Sequence, residues 1–230
     1  MRISPDLRAA FADSAPVGLG FVPLGVAYGV LVVQAGLDWW WAGLSASLIY
    51  GGSFEFLLIG MVTAAAPLTA IATAAFLVNF RHVFYALSFP LHRIGSRAGK
   101  AYATFALSDE AYALSTGERS RTWSGRRILW SQLCMHMYWV GSATAGALLG
   151  AFIPDSVQGL EFALTALFTV LALDALKDTR GDLPTPVLAL GCALAALLFF
   201  PDQMLLAAFA LFAAVLLVRH LVPHRRSSRV

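Results

Sequence analysis

A series of long apolar runs, most of them separated by turns of a few residues, is the feature that most restricts how this chain can fold. Of its 230 residues, 59% are hydrophobic and 13% are charged, whereas soluble domains have roughly 45–50% apolar and about 25% charged residues. Successive runs of this length are typical of helices that cross a bilayer. The sequence therefore predicts an all-α polytopic membrane protein, with residues 1–230 in a single membrane domain.

We predict about seven spans, within a range of six to eight. They lie near residues 16–36, 40–66, 67–89, 128–153, 160–176, 186–200 and 205–218. Residues 98–117 are moderately apolar and leave three alternatives, namely an extra span, a re-entrant segment or an amphipathic surface helix. Seven spans place residues 91–127 inside and the N-terminus outside, whereas eight place the N-terminus inside. We favour seven, because two adjacent carboxylates make residues 98–117 a poor lipid-facing helix.

Charged residues set the expected orientation and partners. The connection 177–184 and the tail from Arg219 are basic, so the positive-inside rule predicts a cytoplasmic C-terminus. The net charge of +3 suits loops beside anionic lipid and needs no nucleic acid. Cys134 and Cys192 lie inside apolar runs and fit packing better than a disulfide or a metal site. We expect no metal and no cofactor.

The second span is interrupted by Gly51, Gly52 and Ser53. An unbroken helix over residues 40–66 would be about 40 Å long, which exceeds a hydrocarbon core of about 30 Å. Two glycines free the backbone and Ser53 is a good N-cap, so we expect a new half-helix to begin here with free N–H groups. Transporters use such broken helices to bind a substrate carboxylate. Close packing at the two glycines is the alternative.

Glu55 lies about 21 Å along the helix from the tryptophans at 39–41, which places this carboxyl deep in the membrane. An ionisable side chain at this depth is costly and usually serves a function. Three roles are open for it: carrying a coupling proton, binding a substrate ammonium, or forming a structural ion pair with Arg81.

The third span carries a polar strip. Asn79, His82 and Tyr85 follow at i, i+3 and i+6, and Arg81 lies four residues before Tyr85, so one side of this helix faces polar groups. Arg81 could bind a carboxylate with both arms of its guanidinium, or reach toward headgroups. His82 could carry a proton or be an ordinary interior histidine.

Asp109 and Glu110 are adjacent and therefore point about 100° apart on a helix. They do not form a paired-carboxylate site. A role in proton coupling or gating and a role as a helix cap or solvated loop remain equal alternatives.

Four stretches resemble one known family. They are LIYGGSFEFLLIG (48–60), LVNFRHVFYALSF (77–89), SDEAYAL (108–114) and GLEFALTALFTVLAL (159–173), and they look like the AzlC family, the large subunit of branched-chain amino acid exporters. The resemblance extends over nearly the whole chain and is most specific at NFRHVFYALS. The family pattern has a small residue and Gln at the positions of Phe54 and Glu55.

The resemblance implies export of branched-chain or related small apolar amino acids, driven by the proton gradient, with a small AzlD-like membrane subunit as partner. In a mechanism consistent with it, the substrate carboxylate binds Gly52 and Ser53 N–H groups or Arg81, and the ammonium binds Glu55 or Asn79. The aliphatic side chain would lie among Phe54, Phe56 and Tyr85. Glu55, His82, Asp109 and Glu110 are the candidates for proton coupling.

Two readings from other classes compete with a transporter. A rhomboid-like intramembrane serine protease would use Ser53 as nucleophile and His82 or His136 as base, although Phe54 stands where that pattern needs Gly. A passive channel or a non-transporting assembly subunit is the third reading. We expect a transporter and not an enzyme.

Overall fold

The computed structural model describes residues 4–150, 184–200 and 204–221, together with Phe152, Thr169 and Leu173. All regular secondary structure in these residues is helical, as predicted. The α-helices are α1 (Pro5–Gln34), α2 (Trp39–Leu48), α3 (Ser53–Thr63), α4 (Leu68–Asn79), α5 (Arg81–Ser88), α6 (Arg97–Phe105), α7 (Asp109–Thr116), α8 (Gly125–Gly150), α9 (Pro184–Phe199) and α10 (Met204–Leu221). Short 3₁₀ turns occupy Leu91–Arg93 and Glu118–Thr122.

Among the described residues, one helix, α1, is long and apolar enough to cross a membrane. Helices α4 and α5 together reach the same length and hydropathy if the pair, which is bent at Phe80, forms one span. The predicted spans at 186–200 and 205–218 correspond to α9 and α10, whereas the span at 160–176 lies outside the described residues except for Thr169 and Leu173. The full number of spans stays a prediction.

The chain divides into two compact units, of which residues 1–67 and 78–163 form the first. Within it, α1 packs along the full length of α8 through small residues. A Cβ added at Gly25 would overlap Ser142, one at Gly29 would overlap the Ala143 carbonyl, and one at Gly146 would overlap Val26. Gly25, Gly29 and Gly146 therefore serve close helix packing.

Polar contacts join the N-terminal ends of α1 and α8, so the two helices run parallel. Arg127 donates to Asp13 from Nε at 2.9 Å, and its guanidinium lies 4.5 Å from the Trp123 ring. Ser124 donates to Asp6 at 3.1 Å. The start of α1 and the start of α8 consequently lie at the same end of this unit. The seven-span arrangement puts the start of α1 outside and the start of α8 inside, which disagrees with these contacts. The contacts agree with an even number of membrane crossings between the two helix starts.

Helices α6 and α7 form a hairpin that returns to the end where it began. Arg93, just before α6, donates from Nη1 to the carbonyl of Ser120, just after α7, at 2.7 Å. Gly125 packs directly against the Arg93 backbone. Phe105, the last residue of α6, lies 5.7 Å from His136, eleven residues or about 16 Å into α8. Of the three alternatives for residues 98–117, this geometry favours the re-entrant segment.

The second unit contains residues 68–77 and 164–230. In its described part, α9 and α10 pack against each other. Arg219 near the end of α10 donates to the Thr185 hydroxyl at 2.6 Å, which ties the two helices at one end.

Candidate functional site

The predicted break in the second span is confirmed. Helix α2 ends at Leu48 and α3 begins at Ser53, with four residues between them that are not helical. Gly52 has φ 49°, which glycine adopts without strain, and Tyr50 has φ 48°, which a bulky residue rarely adopts. The break therefore combines one residue suited to its backbone conformation with one that is strained.

Glu55 satisfies the backbone at the start of α3. Its Oε2 accepts from the Gly51 N–H at 2.9 Å and from the Gly52 N–H at 3.0 Å. A carboxylate in the first turn of a helix is held both by these donors and by the positive end of the helix dipole. Ser53 is thus not the N-cap that the sequence predicted, because Gly52 holds that position and the side chain of Glu55 makes the capping bonds.

A third donor reaches the same carboxylate from α8. The indole N–H of Trp139 donates to Glu55 Oε2 at 2.9 Å, and the side chain of Glu55 is completely buried. Its other oxygen, Oε1, has no hydrogen-bond partner among the residues that the structure describes. Glu55 is therefore a buried carboxylate with one oxygen held by three donors and one oxygen that can still accept a proton or an N–H group.

Two expectations for this break need correction. Of the Gly52 and Ser53 N–H groups expected to bind a substrate carboxylate, the Gly52 N–H binds the protein's own carboxylate at Glu55. The ion pair of Glu55 with Arg81, one of three roles left open, is not formed, because Arg81 Nη1 lies 2.8 Å from Asp109 Oδ2. The sequence shows where Glu55, Arg81 and Asp109 stand along their helices, but it does not determine which of these side chains meet.

The Arg81–Asp109 pair joins α5 to the hairpin. The two side chains are 50% and 37% exposed, so the pair is screened by solvent and contributes little to stability. Asp109 and Glu110 occupy the first turn of α7, where Ser108 is the N-cap and accepts from the Ala111 N–H at 3.2 Å. Their position suits the dipole of α7 and leaves Asp109 with a cationic partner.

The polar strip of α5 is present and faces α7. His82 Nδ1 bonds the Asn79 carbonyl at 2.9 Å, and its ring meets the Tyr85 ring edge to face at 5.5 Å. Tyr85 stacks on Tyr112 at 4.5 Å, and Tyr112 bonds Ser88 at 2.7 Å.

Tyr85 was expected beside two phenylalanines of α3, and the structure separates them. Phe54 and Phe56 are buried, and Phe56 packs on Tyr28 at 5.3 Å and on Trp139 at 6.3 Å. No aromatic contact in the described part of the chain joins Tyr85 to either phenylalanine. The strip around Tyr85 and the surroundings of Glu55 are two separate clusters.

One face of α8 contacts two helix breaks, the one between α2 and α3 and the one between α6 and α7. Sequence reasoning largely missed this face. Gln132 donates from Nε2 to the carbonyls of Ala103 and Ala106 at the end of α6, at 2.9 and 3.0 Å. Four residues on, His136 Nδ1 bonds the Tyr102 hydroxyl at 3.2 Å. Trp139 follows at i+7 and reaches Glu55. The spacing of these three side chains along one helical face is the signal that could have identified them.

Comparison with known proteins decides the family. The AzlC family, described as "AzlC protein", matches residues 16–153. The chain belongs to the AzlC family.

The relatives of this AzlC chain are membrane proteins. It is 32% identical to an uncharacterized membrane protein of Haemophilus influenzae, over 87% of this chain and 83% of the relative. It is 28% identical to the branched-chain amino acid transport protein AzlC of Bacillus subtilis, over 92% and 84%. The inner membrane protein YgaZ of Escherichia coli is 26% identical over 74% and 73%. No solved structure matches the chain.

The protease alternative is not assembled in this AzlC chain. His82 bonds a backbone carbonyl and His136 bonds Tyr102. In the part of the chain that the structure describes, Ser53 makes no hydrogen bond to either histidine. A serine nucleophile needs its base within hydrogen-bond reach, so the geometry gives this reading no support.

Proposed function

We propose that this protein is a secondary active transporter that exports branched-chain or related small apolar amino acids across the bacterial inner membrane, coupled to protons and together with a small AzlD-like membrane subunit. Family membership and the named B. subtilis relative support the transport role and the substrate class. The observation that carries the proposal is the buried Glu55 carboxylate, held by three donors at a helix break.

The geometry suggests how a proton and a substrate could exchange at this break. A carboxylate binds N–H donors more strongly than a protonated carboxyl does, because charge-assisted hydrogen bonds are the stronger ones. Protonation of Glu55 would weaken its hold on the Gly51, Gly52 and Trp139 donors. The substrate carboxylate would then take these donors, and loss of the proton would expel it. Glu55 is in this scheme both the proton carrier and the competitor of the substrate.

The second polar cluster is a candidate gate. Arg81 and Asp109 join α5 to the α6–α7 hairpin through a half-exposed pair, which can open at small cost. His82 and Glu110 lie on the same two helices, and we propose that they assist proton entry there. Asn79, Arg81 and Tyr85 would contact the substrate only along its path and not at the Glu55 break.

We propose a cytoplasmic location for both the start of α1 and the loop before α8. The basic residues at the ends of the hairpin favour the inside of the membrane, and these are Arg93, Arg97, Arg119, Arg121 and Arg126. Contacts of Asp6 and Asp13 with the start of α8 then bring the start of α1 to the same side. The C-terminal tail, of which the residues after Leu221 lie outside the described part of the chain, is basic and would also be cytoplasmic.

Transport by purified protein in liposomes tests the proposal. Liposomes loaded with leucine and containing the chain, with and without the small subunit, should take up labelled leucine by exchange. An imposed proton gradient should drive net transport. Glu55→Gln should retain exchange and lose the response to the gradient, whereas Glu118→Gln, at a carboxylate that is 91% exposed, should behave as wild type. Equal gradient response in both variants would remove Glu55 from the coupling mechanism.

A further inference from the structure

Tyr50 combines two unfavourable features at the first helix break. Its φ of 48° lies in the left-handed region, which is costly for an aromatic residue. Its hydroxyl is buried and has no hydrogen-bond partner among the described residues. A buried hydroxyl without a partner also lowers stability. Phenylalanine would fill the same space without the second cost, so packing alone does not explain a hydroxyl here.

The tyrosine lies where the two breaks meet. Its ring packs on the His136 ring at 4.5 Å and lies 6.4 Å from Phe105 at the end of α6. Ser108, at the break between α6 and α7, lies near the hydroxyl, but the two groups do not meet the geometry of a hydrogen bond. The hydroxyl is thus placed between elements that belong to both discontinuities.

The remaining open polar atoms nearby complement an amino acid. Glu55 Oε1 is a fully buried acceptor without a partner among the described residues. Glu55 belongs to the same break as Tyr50 and contacts Trp139, three residues along α8 from the His136 on which Tyr50 packs. The Tyr50 hydroxyl can donate, and a carboxyl oxygen can accept from an ammonium group even when Glu55 is protonated. One buried acceptor and one buried donor at the same break match the ammonium and carboxylate of a zwitterion.

We propose that Tyr50 is a substrate-binding residue, which donates its hydroxyl to the carboxylate of an α-amino acid whose ammonium binds Glu55 Oε1. The proposal rests on the proposed transport function and adds a residue to its site. His136 is a positioning residue, because its ring holds the Tyr50 ring between the two breaks.

Tyr50→Phe separates a binding role from a structural one. If the hydroxyl only fills space, its removal should leave leucine binding unchanged and raise the Tm, since an unsatisfied buried group disappears. If it binds substrate, leucine affinity should fall by about tenfold or more, as expected for a hydrogen bond to a charged group, while the Tm without leucine stays the same or rises. Titration of leucine into the purified complex, followed by calorimetry and thermal denaturation, measures both.

Tyr138→Phe is the matched control. Its hydroxyl contacts Ser14 at 3.4 Å on the side of α8 that faces α1, so its removal should leave leucine affinity unchanged. Unchanged affinity in Tyr50→Phe, with binding intact in wild type, overturns the role of Tyr50 alone. Absence of saturable leucine binding in the wild type overturns the proposed function and this inference with it.

Discussion

Trp139 of α8 donates its indole N–H to the carboxylate of Glu55 at 2.9 Å, and both side chains are buried. The bond joins residues 84 positions apart in sequence. It fixes the start of α3 against the helix that also holds the end of α6 through Gln132. Helix α8 is therefore the common support of the two breaks, and its indole contributes one of the three donors to the buried charge.

Replacement of Trp139 by Phe should destabilise the protein. The aromatic ring is kept and one of three donors to a buried carboxylate is lost, which costs about 1.5–3 kcal/mol for a bond to a charged group. The Tm of the purified protein should fall by several degrees. Trp130→Phe on the same helix, where the indole N–H has no bond to a described residue, is the control. Equal Tm changes in the two variants would contradict the importance of the bond.

Substitution of Gly29 should disrupt the pairing of α1 and α8. An added methyl group would overlap backbone atoms of Ala143 and Ala147, which have no room to move. We expect Gly29→Ala to lose about 1–3 kcal/mol by overpacking, seen as a lower Tm or lower yield of folded protein. Gly20→Ala has no neighbour within 4 Å of the new methyl group and should be tolerated. Similar stability of both variants would rule out close packing as the role of Gly29.

Loss of the opposite charges at positions 81 and 109 should reduce transport while changing the stability of the protein little. Arg81→Asp and Asp109→Arg each place like charges together and should reduce leucine exchange, while the half-exposed pair changes stability by no more than about 1 kcal/mol. The double exchange should restore part of the activity. Failure of the double variant to exceed either single one would argue against a pairwise role.

A membrane-impermeant thiol reagent added on one side of the membrane should label cysteines introduced at three positions alike. In a background without Cys134 and Cys192, cysteines at Arg8, Arg97 and Arg126 should react from the same side, and one at Asp38 from the other. The expectation follows from the parallel packing of α1 with α8 and from the returning α6–α7 hairpin. Labelling of Arg8 and Arg126 from opposite sides would instead restore the seven-span arrangement.

The sequence by itself determined the membrane class, the helix break at Gly51 and Gly52 and the polar strip of α5. Composition, helical period and the backbone freedom of glycine act over one or two turns, so they can be read directly from neighbouring residues. The family was suggested separately, by the resemblance of NFRHVFYALS, which covers the end of α4, Phe80 and α5.

Only the tertiary structure decided which polar groups meet. Glu55 and Arg81 are equally plausible partners along the chain, yet Glu55 lies against Trp139 and Arg81 against Asp109. The helical period fixes the face on which a side chain stands, but not the helix that covers this face. That choice depends on the close approach of α1 and α8 through glycine and on the return of the α6–α7 hairpin. Both involve residues far apart in sequence, where no local rule applies.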